Sequence, residues 1–365
     1  MCEEDCHMGE MKERVVVGYW LSEKKRSKFN WNDWQNVCAK EGFVFKLVDL
    51  NSSLDAQGPF DVFLHKLTDT LALAEMGDPQ AIAIVSRVES YIRRNPQMIV
   101  VDPLDNVKKL RDRQNSYEIL REGMQFNDVF TPDFIELKSR NASENLSHLH
   151  QHNIKFPFIC KPLSAQGCSN AHEMMVIFNE AGVKDCQPPC VAQNFVNHNA
   201  ILYKVYIVGS HFHIVERPSL KNFYPKDCES SGTLFFSSHD VSKSGCTSEW
   251  SVISKEDEPL AVKPNYDIFQ KIVGQTTKLF GLVLVGVDVV IENHTGRYAI
   301  IDVNAFPGYD GYPHFLKHFA ETIKLLLSEQ KARLNYRRTS ILNKCMSTDS
   351  ESGFESDEKK KQSMN

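Results

Sequence analysis

Two aspartates and an asparagine, Asp288, Asp302 and Asn304, fall within one largely apolar stretch, "VGVDVVIENHTGRYAIIDVNAFPGY", residues 285–309. Both halves read as strands. A three-residue loop, His294-Thr295-Gly296, joins them, with Gly296 supplying the left-handed position that such loops need. That register sets Asp288 directly opposite Asp302, and strand alternation puts Asn304 on the same face. Val285, Val287, Val289, Ile291, Ala299, Ile301 and Val303 then form the opposite, core-facing surface. Two unit charges about 5 Å apart repel by roughly 3 kcal/mol at an effective dielectric near 20. Two readings are open: solvated carboxylates on a sheet edge, or a divalent metal site. Carboxylate and amide oxygens suit magnesium, which keeps waters and shares its shell with substrate phosphates.

A metal working on phosphates needs cations beside it. Lys161 ends "FPFICK" and leads into "PLSAQGCSNAH", a small-residue loop with Gly167 that can lie over phosphates. In "YKVYIVGSHFHIVERP", Gly209-Ser210 fits a tight II′-type turn and pairs Lys204 with Val215. Lys204, Tyr206, His213 and Arg217 then share one sheet face, where they are either solvated cations or are bridged by an anion. Lys25 in "SEKKRSK" and Lys66 in "HKLTD" each follow a strand. In open α/β sheets that edge is where ligands bind. Arg113, in "KKLRDRQNSYEIL", lies on a helix and by itself reads as a surface arginine. Neither G-x-x-x-x-G-K-[ST] nor G-x-G-x-x-G occurs, which excludes the phosphate-loop and dinucleotide fingerprints.

The elements that must position these residues change character along the chain. Up to about residue 100, "RVVVGYWL", "FVFKLVDL", "DVFLH" and "MIVVDP" read as strands separated by helical patterns. That β-α-β-α-β order predicts a parallel, doubly wound sheet. Further on, "FPFICKP" and "PPCVAQNFV" read as short strands around a helix near "HEMMVIFNEAG". From Lys226 to about Pro264 a Ser-, Lys- and Asp-rich stretch reads as a loop or lid with little structure. A helix near "YDIFQKIVGQTTKLFG" precedes the aspartate hairpin, and "PHFLKHFAETIKLLLSEQKARL" is an amphipathic terminal helix. Beyond about Tyr336 the apolar-poor chain is expected to be disordered.

Composition narrows the class. With 42% apolar and 24% charged residues among 365, the chain reads as a soluble globular protein able to bury a large core. Its net charge of −5 excludes blanket attraction to nucleic acid or anionic membrane, so anionic ligands must meet local cation clusters. Ten scattered cysteines without a C-x-x-C, and no signal peptide or apolar span, point to reduced thiols and a cytoplasmic location.

Taken in order, "VGYWLSEKK", "HKLTD", "FPFICK", "QNFVNHNAILYKVYIVG", "RPSLKNF", "FFSSHDVSK" and "IDVNAFPGY" resemble the inositol 1,3,4-trisphosphate 5/6-kinase family, also called inositol-tetrakisphosphate 1-kinases, in its vertebrate form. The likeness runs from about Arg14 to Leu327. It implies the ATP-grasp fold, in the α/β (α+β) class: a Rossmann-like parallel-sheet domain over residues 13–117, a central domain over 118–205, a metal-bearing C-terminal domain over 206–332, and a tail over 333–365. It implies that Asp288, Asp302 and Asn304 hold magnesium, as two ions. Arg113, Lys161, Lys204, Ser219, Ser238 and Ser242 fall on nucleotide contacts, and Gln193, Asn194, Phe195 and Val196 open the segment lining the adenine pocket. Lys25, Lys66, His172, Lys204, Asn304 and Gly308 fall on the inositol phosphate site. Lys204 and His172 thereby stand among the catalytic candidates. Arg217 joins them as a clamp on the transferring phosphoryl group, from the hairpin geometry above.

One departure concerns the loop after Lys161. Where the vertebrate form carries A-H-G, this chain has A-Q-G with Gln166, and the loop to His172 is one residue longer. The resemblance implies a monomer that phosphorylates inositol polyphosphates from ATP, with ADP able to act as acceptor in reverse. The alternatives are an ATP-grasp carboxylate ligase, which needs no Lys25 and Lys66 facing its acceptor, and an inositol phosphate-binding module without transfer. His172 and Asp302 are the candidates for a general base.

Overall fold

The computed structural model describes residues 14–27, 31–165, 169–243, 245, 248–252 and 263–348. Gln166 and Gly167 of the small-residue loop, and the charged run after residue 348, lie outside the described residues. The chain divides into two units, 1–320 and 321–365.

Among the described residues, fourteen strands build three sheets, with helices between them. β1 (Val15–Trp20), β2 (Phe43–Leu47), β3 (Val62–His65) and β4 (Ile99–Val101) form a parallel sheet in the order β2-β1-β3-β4. Its crossover helices begin and end where their residues dictate. Asp78 caps the helix Pro79–Arg94, accepting from the Ala81 amide at 2.7 Å, and Pro79 occupies the first turn. Gly18 in β1 is required by close packing, because a Cβ there would lie 2.7 Å from the Phe60 ring.

The next ten strands are β5 (Val129–Phe130), β6 (Phe134–Leu137), β7 (Phe158–Pro162), β8 (Glu173–Ile177), β9 (Cys190–Asn194), β10 (Ile201–Val208), β11 (His211–Pro218), β12 (Leu234–Ser237), β13 (Leu284–Ile291) and β14 (Tyr298–Ala305). They form two five-stranded sheets, β12-β8-β7-β9-β6 and β11-β10-β13-β14-β5. The sheets exchange strands. β12 returns to the edge of the central sheet, β5 joins the other, and β10 straddles the boundary expected at residue 205. One apolar core runs from Leu50 and Phe63 through Tyr117 and Phe134 to Phe269, Val287 and Ile300. Each such fully buried side chain contributes roughly 1.5–3 kcal/mol.

Four expectations need correction. The stretch at "EMMVI" is strand β8, not helix: it lies between β7 and β12 with four of its five residues buried. A short apolar run buried on both faces has no periodicity to separate it from a helix. The polar stretch after Lys226 is also more ordered than its composition implied. It contains the helix Pro225–Ser230, β12, the short helix Ser238–Val241 and a turn at Glu249–Ser251. "LFF" within that run is what extends the sheet. The terminal helix runs from Phe315 to Thr348, past the expected start of the tail, through a segment without Gly or Pro.

The fourth correction concerns the aspartate hairpin. Asp288 pairs with Asp302 as the sequence implied, but a bulge follows, and Val289 pairs with Ile300. Tyr298 and Ile300 therefore join Val287, Val289 and Val303 in the main core, while Ala299 turns to a second cluster with Val196, Leu202 and Val290, and Ile301 packs against that cluster. A one-residue shift sends every later side chain to the other face.

Candidate active site

A single row of side chains crosses three adjacent strands. Lys204 of β10 pairs with Asp288 of β13, which pairs with Asp302 of β14. The Lys204 ammonium lies 3.2 Å from Asp288 Oδ2 and 3.3 Å from Oδ1. Burial raises the Asp288 pKa, with Asp302 adding to the rise and Lys204 opposing it. Burial also works against the Lys204 charge, yet Asp288, Tyr206 and Asp302 outweigh it and raise the Lys204 pKa. The neighbouring row is Tyr206, Gly286 and Asn304. Gly286 leaves the space beside Asn304 free for Pro307, whose Cγ would lie 2.9 Å from a Cβ there. The Asn304 amide reaches Asp302 Oδ2 at 3.5 Å. Two carboxylates and an amide carbonyl are an all-oxygen donor set, and they fit magnesium.

The bulge in β14 has a second effect. The Ile301 carbonyl accepts from Tyr117 Oη at 2.9 Å and from Lys161 Nζ at 2.9 Å. Lys161 also donates to the Tyr117 hydroxyl at 3.0 Å and to Gln193 Oε1 at 2.7 Å. Lys161, from the central sheet, thus reaches the backbone one residue before Asp302. Burial lowers its pKa to about 8, against the pull of Asp302 and Asp288. Gln193 is buried, and its Nε2 donor has no hydrogen-bond partner.

Arg113 is not a surface residue. It is 2% exposed, at the start of the helix Arg113–Gly123. Its guanidinium donates to the carbonyls of Pro162 at 2.6 Å, Ser164 at 3.1 Å and Ala171 at 3.1 Å. Both ends of the loop after Lys161 are therefore held by one arginine, and only its buried Nε is left over. His172 closes that loop. Its ring packs against His239 with centroids 3.7 Å apart, and its Nδ1 lies 3.5 Å from Ser238 Oγ. Ser242 Oγ donates to the Ser238 carbonyl at 2.7 Å.

The segment from Gln193 to Lys204 is shaped by residues that the sequence did not single out. His198 donates from Nδ1 to the Val196 carbonyl at 2.6 Å, and its Nε2 lies 2.7 Å from Ser219 Oγ. Burial lowers its pKa to about 4, so the ring is neutral and Nε2 accepts from the serine. Asn199 and Asn222 are joined twice, from backbone N to Oδ1 at 2.9 Å and from Nδ2 to Oδ1 at 2.8 Å. Asn194 points elsewhere: Oδ1 accepts from the Lys155 amide at 2.8 Å. Phe195 packs on Phe223 at 5.1 Å, and Val196 is buried beside Leu202 and Val290.

Lys25 and Lys66 converge from the parallel sheet onto one atom. Both ammonium groups donate to the Phe306 carbonyl at 3.0 Å, and Lys25 also reaches the Pro307 carbonyl. Lys25 lies 4.5 Å from the Phe306 ring centre. Phe306 itself holds a left-handed backbone, φ 42°. This is the segment that leaves Asn304 and leads to Gly308. Arg217, on the Lys204 face, donates from Nη2 to the Asp310 carbonyl at 2.8 Å. Tyr117, His198, Asn222 and Phe306 were given no role from the sequence, because each meets a partner remote along the chain. The last three nonetheless lie within "QNFVNHNAILYKVYIVG", "RPSLKNF" and "IDVNAFPGY".

Comparison with known proteins places the chain in a family. Residues 123–324 match the inositol 1,3,4-trisphosphate 5/6-kinase ATP-grasp domain, and residues 16–107 match the pre-ATP-grasp domain of the same family. An inositol-tetrakisphosphate 1-kinase from Danio rerio is 41% identical over 319 residues, covering 86% of this chain and 79% of its own. One from Xenopus laevis is 38% identical over 322 residues, covering 87% and 81%. Among solved structures, a D-cycloserine synthetase superposes with a TM-score of 0.58 at 12% identity, covering 86% of this chain and 99% of its own. At that identity the likeness speaks for the fold alone.

Proposed function

Since the chain belongs to the inositol 1,3,4-trisphosphate 5/6-kinase family, with its ATP-grasp fold, we propose that the Lys204–Asp288–Asp302 row is where this ATP-dependent inositol polyphosphate kinase transfers its phosphoryl group. The acceptors named for its relatives, inositol tetrakisphosphate and inositol 1,3,4-trisphosphate, are the acceptors assigned here.

The reading rests above all on the pairing of Asp288 with Asp302 across β13 and β14. No fold gains from two facing carboxylates in a buried hairpin unless positive charge joins them. Lys204 supplies one such charge. Asp288, Asp302 and Asn304 would hold magnesium, taken as two ions, which would supply the remaining positive charge between the carboxylates and the ATP phosphates.

The chain's own residues bind and orient. Gln193, with its unpartnered buried donor, suits an acceptor nitrogen of adenine. Lys161 and Lys204 flank the carboxylates from two sheets and suit the ATP phosphates. Arg113 acts mainly by holding the loop that covers them. Ser219, set by His198, and Ser238 and Ser242 line the nucleotide side. Lys25, Lys66 and His172 offer cations to an acceptor whose phosphates each carry about −1.5 to −2. A ring hydroxyl oxygen then bonds to the γ-phosphorus as the bond to the bridging β–γ oxygen breaks, with ADP leaving and the hydroxyl proton passing to the candidate base, His172 or Asp302. No covalent enzyme intermediate is needed, and positioning plus charge stabilisation carry the rate. Run in reverse, the same site lets ADP accept a phosphate.

Purified protein incubated with magnesium-ATP and a panel of inositol tris-, tetrakis- and pentakisphosphates, resolved by anion exchange, tests the reading. A more highly phosphorylated product absent with Asp302→Ala is expected. If no acceptor gains phosphate while ATP still binds, the carboxylate ligase becomes the better reading.

A further inference from the structure

The loop after β14 carries one carboxylate that the phosphoryl-transfer scheme does not use. A Cβ built on Gly308 would lie 2.7 Å from Asp310 Oδ2 and 3.3 Å from its Cγ. The Asp310 carboxylate is therefore folded back over Gly308. Asp310 is exposed, and its carbonyl is held by Arg217 at 2.8 Å. Its charge also reaches the row beside Lys204. Burial first, then Asp288 and Asp310, raise the Tyr206 hydroxyl pKa, against Lys204 and Arg217. Gly308 thus lies against the Asp310 carboxylate, and Arg217 holds the backbone of Asp310. Four residues before Asp310, the same loop meets the cations Lys25 and Lys66, both of which donate to the Phe306 carbonyl.

We infer that Asp310 is a specificity-determining residue, which accepts a hydrogen bond from a free hydroxyl of the inositol ring and repels a phosphate at the same position. The inference rests on the proposed placement of the acceptor at Gly308. A carboxylate is an acceptor only, so it rewards a hydroxyl with a charge-assisted hydrogen bond. A phosphate in its place sets two anions in contact, which works against binding. Selectivity built from a repulsive group adds to that built from the lysines, which favour any phosphate. The lysines count phosphates, and Asp310 decides where one is forbidden.

Two variants act on the carboxylate by different routes. Asp310→Asn keeps the shape and removes the charge. Gly308→Ala keeps the charge and pushes the carboxylate off its seat. Affinities of the full chain for inositol tetrakis-, pentakis- and hexakisphosphate, measured by calorimetry without ATP, give the ratio that matters. Wild type is expected to bind the tetrakisphosphate acceptor in preference to the hexakisphosphate. Both variants are expected to shift that ratio at least tenfold toward the more phosphorylated ligands, with unchanged melting temperature for Asp310→Asn. A ratio that stays within twofold of wild type in both variants overturns the inference, as does an equal loss for every ligand. Turnover with magnesium-ATP is read separately. A protein that binds with this selectivity but transfers nothing keeps the inference and loses the kinase reading. One that transfers phosphate with the ratio unmoved does the opposite. Failure to bind any inositol phosphate removes both.

Discussion

Asp288 and Asp302 face each other across β13 and β14, and among the described residues Lys204, 3.2 Å from Asp288, offsets their charges with a direct contact. Directly opposed side chains on neighbouring strands have Cβ atoms about 4.5–5.5 Å apart. The pair therefore carries repulsion that serves the site rather than the fold. Asp302→Asn removes one charge and keeps the shape. Without metal, this variant is expected to be more stable than wild type by about 1 kcal/mol, a rise of roughly 2–4 °C in melting temperature. Transfer to an inositol phosphate is expected to fall by at least ~10²-fold. Calorimetric scans at low salt and a product assay report the two effects. A loss of stability on substitution would show that the carboxylates are paired for folding.

Lys25 and Lys66 share the Phe306 carbonyl, so their effects cannot be independent. Hydrogen bonds to charged groups contribute about 1.5–3 kcal/mol, a factor of roughly 10–150 in affinity. Lys25→Ala and Lys66→Ala are each expected to raise KM for the inositol phosphate within that range and leave KM for ATP within twofold. The double variant should lose more than the product of the single losses, since one lysine still holds the carbonyl when the other is gone. Strict multiplicativity in a double-mutant cycle contradicts a shared anchor.

Asp102 joins the parallel sheet to β13 and does so from a buried position. Its Oδ1 accepts from the Val283 amide at 2.6 Å and its Oδ2 from the Leu284 amide at 3.0 Å. Burial nonetheless raises its pKa from 3.8 to about 7, with those two bonds opposing the rise. An acid whose folded pKa is raised binds its proton better when folded. Its contribution to stability is greatest below pH 3.8 and is lost as pH rises through about 7. At roughly 1.4 kcal/mol per pKa unit this is an effect of several kcal/mol. His65 and His198 run the other way: burial lowers both from 6.5 to about 4, so their contribution is lost as pH falls through that window. Urea unfolding of wild type and Asp102→Asn separates the terms, because the histidines are common to both. The wild type's stability relative to the variant should decline between pH 5 and pH 8, and a flat difference would falsify the assignment.

Much of the site was legible because strand arithmetic is rigid. A turn at Gly209, observed with φ 60°, was enough to pair Lys204 with Val215. The three-residue loop expected at His294-Thr295-Gly296 opposed Asp288 and Asp302 only because two departures offset one another. Ile291 pairs with Tyr298 and Val289 with Ile300, one residue off that loop's register, and the bulge restores it at Asp288. The bulge itself was not legible: Ala299 and Ile300 are both apolar, and either can face the core. Arg113 was misplaced on the surface for a related reason. Nothing local reveals a guanidinium that finds its acceptors about fifty residues away, at Pro162, Ser164 and Ala171. β8 and β12 were hidden by short length, where composition outweighs period.

The turn into β10 offers the sharpest test of how the nucleotide side is supported. Asn199 and Ala200 are both left-handed, with φ 57° and 56°. A left-handed residue with a Cβ costs roughly 1–2 kcal/mol, and asparagine tolerates it better than alanine. Two side chains offset that cost: Asn222, bonded twice to Asn199, and His198, which orients Ser219. Asn222→Ala leaves the buried Asn199 amide unpartnered, at about 1–3 kcal/mol. The variant should melt several degrees lower and show a raised KM for ATP, with KM for the inositol phosphate little changed. Ala200→Gly removes the Cβ from the strained position and should recover part of both losses in the Asn222→Ala background. A rescue of stability without any recovery in KM for ATP would mean that the turn supports the fold and leaves the nucleotide untouched.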